Sequence, residues 1–152
     1  MRATGRVVLV DFYHLTRTPV DGVLPRVAER LLADGGRLLV VAGDPALRAR
    51  IDAALWSYAP DSFLPHGQAG AGDDAAQPVL IAEDIASPNG ARHVAIVDGL
   101  WRDAALGFDR AFHFFDGEGI VAAREAWKAL AGREGVERRY WKQTQTGWER
   151  AG

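Results

Sequence analysis

The chain has no cysteine among its 152 residues. That excludes disulfides, zinc–thiolate sites, iron–sulfur clusters and thiol catalysis. A thiol-free chain fits the cytoplasm, and a cytoplasmic protein is expected. Long apolar runs are missing too. Nothing approaches the roughly 18–20 residues of a membrane span, and no secretory apolar segment with a small-residue cleavage site opens the chain. Lysine is nearly absent: Lys128 and Lys142 stand against 16 arginines. The formal net charge is only −2, which argues against gripping DNA by bulk charge.

What is present is the composition of a globular chain, 48% hydrophobic and 25% charged. The length fits one domain over residues 1–152. At this size roughly 68–70% of the extended surface can be buried, so the core needs no staple. The charge is unevenly spread. Residues 1–120 carry 11 Lys and Arg against 16 Asp and Glu, whereas residues 121–152 carry 7 against 4.

Hydrophobic patterning predicts strands at residues 7–13, 37–42, 78–82, 93–97 and 110–115, each a continuous apolar run of the kind buried on both faces. A further strand, at a sheet edge, is expected over residues 136–144. Helices are expected through Val23, Val27, Leu31 and Leu32, ending at Gly35-Gly36, and over residues 46–55. Asp44 would cap the second, with Pro45 at its first position. A short helix is expected at 101–106 and a longer one at 118–131. Residues 56–77 read as irregular, and Ser87-Pro88-Asn89-Gly90 as a turn. Strands alternating with helices predict an α/β fold: three layers, with helices on both faces of a mainly parallel sheet.

Several residue groups are candidates for chemistry. Asp11, Asp44, Asp98 and Asp116 each follow an apolar run, and strand ends of a parallel sheet lie on the edge where ligands usually bind. Asp11, Asp44 and Asp98 would serve a Mg²⁺-dependent nuclease or phosphotransferase. The same acids suit helix caps and turns. Gly67-Gln68-Ala69-Gly70-Ala71-Gly72 is glycine-rich, but it precedes a strand and lacks the helix N-terminus of a phosphate cradle. His14, His66, His93 and His113 have no partner at metal-binding spacing and read as surface or strand-face residues.

The basic end of the chain is more informative. On a helical wheel Ile120, Ala123, Trp127, Leu130 and Ala131 share one arc, which is the expected buried face. Arg124 and Lys128 flank it at i, i+4. Arg138-Arg139-Tyr140-Trp141-Lys142-Gln143 then interleaves cations with aromatics. Cations ringing an aromatic slot suit single-stranded nucleic acid or a short acidic peptide. An amphipathic helix with snorkelling cations has the same pattern. Trp56 and Phe63 place large apolar groups in a loop, where they would anchor a partner or plug the end of the sheet.

An ordered set of motifs runs through nearly the whole chain: Phe12-Tyr13-His14-Leu15; Ala54-Leu55-Trp56 with Ser62-Phe63-Leu64-Pro65-His66; Pro78-Val79; Arg124 with Trp127-Lys128; and Tyr140-Trp141-Lys142-Gln143. The set resembles the chi subunit of bacterial DNA polymerase III. Trp127 stands where that family also uses Tyr. The resemblance implies a Rossmann-like α/β fold without a nucleotide site, no catalysis of its own and no cofactor. It implies a bridge between two partners, with DNA reached only indirectly. One partner is the psi subunit of the clamp-loader complex, on the positions matching Trp56 and Phe63. The other is the acidic C-terminal tail of single-stranded DNA-binding protein, on Arg124, Trp127 and Lys128, with Trp141 as an expected neighbour.

Overall fold

The computed structural model describes residues 7–58, 64–86 and 89–152. The strands are β1 (Val8–His14), β2 (Leu38–Val41), β3 (His66–Gln68), β4 (Val79–Ala82), β5 (His93–Ile96), β6 (Arg110–Phe115), β7 (Val136–Gln143) and β8 (Trp148–Arg150). The α-helices are α1 (Val20–Ala33), α2 (Pro45–Ser57) and α3 (Ile120–Ala129). All eight strands form one sheet in the order β3-β4-β2-β5-β6-β1-β7-β8. Every neighbouring pair is parallel except β7 with β8.

The central strands form where side chains can be buried on both faces. Leu38, Leu39, Val40 and Val41 are wholly buried, and their alternation splits them between two cores. Leu38 and Val40 join α1 and α2, through Leu24, Ala28, Ile51 and Leu55. Leu39 and Val41 join the other face, with Phe12, Ala105, Ala123 and Leu130. Each such aliphatic side chain contributes about 1.5–3 kcal/mol by leaving water. Helices thus cover both faces, as the alternation of elements predicts.

Local signals set the helix ends. The Asp44 carboxylate accepts from the Ala46 N–H at 2.9 Å, and Pro45 occupies the first turn of α2. Gly35, at φ 78°, turns the chain out of α1 through a conformation that side chains with a Cβ resist.

Several expectations are corrected. The stretch read as irregular contains β3, an edge strand of His-Gly-Gln that has no β-branched residue to announce it. The helix expected at 101–106 is a 3-10 turn, Asp103–Gly107, and the last helix opens with another, Gly117–Gly119. In α3 the buried small residue beside Ala123 is Ala126, while Ala131 lies past the helix and is exposed. β7 is not an edge strand: it runs parallel to β1 on one side and carries β8 on the other. Of the expected turn at 87–90, Ser87 and Pro88 lie outside the described residues. Among the described residues no helix is long and apolar enough to cross a membrane.

Candidate functional site

The strand-end aspartates are not gathered. Asp11 is no strand end at all: it sits in the middle of β1, wholly buried. Its carboxylate accepts from Arg110 (Nη2, 2.7 Å), Arg139 (Nε, 2.7 Å) and the Trp141 indole N–H (3.0 Å). Burial pushes this acid up, but the hydrogen bonds from Arg139, Trp141 and Arg110 outweigh it and hold it below the ordinary aspartate value. Asp44 caps α2 and Asp116 caps the turn before α3. Asp98 lies where β2 and β5, neighbours in the sheet, send their chains to opposite faces. There it accepts the Gly43 N–H at 3.0 Å and both Nη atoms of Arg102 at 3.0 and 2.9 Å. The crevice in which α/β sheets usually seat a ligand is thus bridged by an ion pair. Among the described residues no three His, Asp or Glu side chains come together as a metal site would require.

His113 lies on a strand, β6, as one of the two expected placements had it, but on a buried face of the sheet. It is wholly buried between Phe12 (ring centroids 5.2 Å apart), Trp101 (5.5 Å) and Phe115 (5.8 Å). Neither ring nitrogen has a hydrogen-bond partner. Burial, only partly offset by Asp98, lowers its pKa to about 4.

The basic end builds a different kind of site. Residues of β7 alternate between the two faces. Arg138, Tyr140 and Lys142 look toward α3; Arg139 and Trp141 look the other way, toward Asp11 and Tyr13. Trp127 of α3 drops edge-on onto Phe12 (5.3 Å) and Tyr140 (5.5 Å). The Arg138 guanidinium lies 3.8 Å over its indole. Held by this wedge, α3 turns Arg124 and Lys128 outward on successive turns. Both are exposed, and among the described residues neither makes an ion pair or a side-chain hydrogen bond. Arg124 is near enough for its charge to act on Tyr140 and His14.

Arg124, Trp127 and Lys128 are therefore brought together as expected, but Trp141 is not their neighbour. Strand alternation puts it on the opposite face of the sheet, where its indole N–H holds Asp11. The aromatic beside Trp127 is Tyr140, the preceding residue. That the two point oppositely follows from their adjacency in a strand; which one meets α3 is set by register with β1.

Trp56 lies elsewhere and not in a loop as expected: α2 runs on to Ser57 and carries it near its C-terminal end, 59% exposed. Its ring meets His66 edge-on at 4.9 Å. The His66 Nδ1 is hydrogen-bonded to the Leu64 carbonyl oxygen at 2.6 Å, which orients the imidazole beside the indole; its Nε2 lies 3.1 Å from Asp52 Oδ1 without a hydrogen bond. Phe63 lies outside the described residues.

The family described as DNA polymerase III chi subunit, HolC, matches over residues 8–137. DNA polymerase III subunit chi of Escherichia coli (strain K12) is 31% identical over 128 residues, covering 78% of this chain and 87% of that protein. The chain belongs to the DNA polymerase III chi subunit family. That membership gives it an accessory role in DNA replication, as a subunit of the polymerase holoenzyme.

Proposed function

We propose that this protein is a non-catalytic adaptor within the polymerase assembly, joining the clamp-loader complex to the single-stranded DNA-binding protein that coats the template. The acidic C-terminal tail of that protein docks at Arg124, Lys128 and Trp127. A psi-type subunit docks around Trp56 and Phe63. The observation that carries this reading is the pair of exposed, unmatched cations on one face of α3, above an aromatic wedge and beside Tyr140. A cation with no internal acid keeps its full attraction for an incoming carboxylate. Arg124 can fork onto two carboxylate oxygens, and Lys128 supplies a compact charge.

The placement of the two regions supports a bridging role. α2 packs on β3 and β4, and α3 packs on the other face, over β1. Four strand spacings, roughly 20 Å, separate β4 from β1.

Titration of the full chain with an acidic peptide that ends in a free carboxylate tests the first contact. Charge-assisted contacts of about 1.5–3 kcal/mol each predict at least tenfold weaker binding for Lys128→Glu. Arg138→Gln, whose guanidinium is already engaged, is expected to have a smaller effect on affinity. Unchanged binding by Lys128→Glu would reject the site.

A further inference from the structure

Lys142 and His14 are register partners on β7 and β1, one row beyond the Phe12–Tyr140 pair on which Trp127 sits. A row of same-face residues advances by roughly 6.6 Å along a strand. The face that carries Arg124 and Lys128 therefore extends past the ring of Tyr140 onto the β7–β8 hairpin, where a third cation stands. Lys142 is exposed and, among the described residues, makes no ion pair within 4.0 Å. His14 lies against it with its imidazole stacked on Phe115, at 5.1 Å and 12°. Three elements face that imidazole with charge: Lys142 from β7, Arg124 from α3 and Asp116 after β6. Burial first, then the two cations, hold His14 below its usual pKa despite Asp116.

Across the hairpin, Lys142 is paired in register with Glu149 of β8. Directly opposed side chains in an antiparallel pair have Cβ atoms about 4.5–5.5 Å apart. Glu149 is exposed, and among the described residues it makes no ion pair with Lys142 within 4.0 Å. It is nevertheless the acid placed to attenuate that cation.

We infer that the peptide groove has a second, cationic half formed by Lys142 beside His14 and Tyr140, that it receives an acidic side chain upstream of the ligand's terminus, and that Glu149 competes for Lys142 and weakens the contact. The inference rests on the peptide-docking reading of Arg124 and Lys128. An extended segment supplies the match: its alternate side chains recur at the same interval as the rows of the strand beneath it. One end of the ligand then lies on α3 and the rest runs across Tyr140 toward the hairpin.

The full chain is titrated with two peptides, one carrying an upstream acid and the terminal carboxylate, the other with that acid replaced by alanine. Lys142→Ala is expected to weaken the acidic peptide by about three- to fivefold, the upper part of the range for an exposed charge pair. Glu149→Gln is expected to tighten it by about twofold or more, a gain that damaged folding does not imitate. The double variant should lose that gain, and the alanine peptide should ignore all three changes. If the acidic peptide binds, and Lys128→Glu abolishes binding, while Lys142→Ala and Glu149→Gln leave it unchanged, the second half of the groove is refuted and the α3 site stands. If the unaltered protein binds neither peptide, the docking reading fails and this inference falls with it.

Discussion

Arg138 lays its guanidinium 3.8 Å over the indole of Trp127 and donates from Nη1 to that residue's carbonyl oxygen at 2.7 Å. One side chain of β7 thus fastens both the ring and the backbone of α3. Arg138 belongs to the support of the site, whereas Arg124 and Lys128 are its free charges. A cation–π contact is worth about 0.5–2 kcal/mol and a net hydrogen bond about 1 kcal/mol. Arg138→Leu is expected to lower the unfolding free energy by about 1–2 kcal/mol in denaturant titration. An unchanged midpoint would show that α3 is held by its apolar contacts alone.

Asp11 makes a sharper stability prediction. It is wholly buried, with Arg110 and Arg139 on either side. Asp11→Ala leaves two guanidiniums facing each other with no anion between them. Removing one member of a buried ion pair typically costs about 3–5 kcal/mol. The arginines are 31% and 26% exposed and can recover some hydration, so about 3 kcal/mol is expected from chemical denaturation. The Trp141 indole loses its acceptor as well, so the tryptophan emission should shift.

Acid should destabilise the fold in two stages. His113 has its pKa lowered to about 4 from the usual 6.5 by burial. Between those values the unfolded chain binds a proton that the folded chain refuses, so stability falls as pH drops through this window. At about 1.4 kcal/mol per pH unit, the loss is about 3 kcal/mol. Asp11, held below its ordinary value, contributes stability above the unfolded aspartate pKa and loses it as pH falls through its folded pKa. His113→Phe, with a ring suited to the pocket of Phe12, Trp101 and Phe115, should shrink the first stage to what His14 and His93, also lowered by burial, contribute, and leave the second. It should also raise stability at neutral pH by about 1 kcal/mol, because two unsatisfied ring nitrogens are removed. Unfolding midpoints measured from pH 7 to pH 3 separate the two stages.

Trp56 should behave as a contact residue. It is 59% exposed, with His66 against its edge. Trp56→Ala is expected to change the unfolding free energy by less than about 1 kcal/mol. It should weaken capture of a psi-type partner and leave acidic-peptide binding as it was, because α2 and α3 lie on opposite faces of the sheet. Equal loss of both interactions would argue against two separate docking regions.

Much of the architecture could be read from the chain. Runs such as Leu38-Leu39-Val40-Val41 have no polar side for water and must be covered twice, which only an interior strand allows. Asp44-Pro45 announces a helix start because carboxylate and ring each meet a need of the first turn. β3 has no signature in the sequence because an edge strand can be made by backbone pairing alone. The burial of Asp11 is not legible locally because its partners, Arg110 and Arg139, are 99 and 128 residues away.

Local sequence determined which segments become strand or helix, and that Arg124 and Lys128 share a helix face, because both depend on periodicities that a chain carries within itself. Tertiary structure alone decided that Tyr140 and not Trp141 stands beside Trp127, that Asp11 is a buried anion between two arginines, and that Lys142 is paired with His14 on the face that carries α3. Those relations depend on strand register and on the face to which each crossover returns, and they exist only once distant segments have paired.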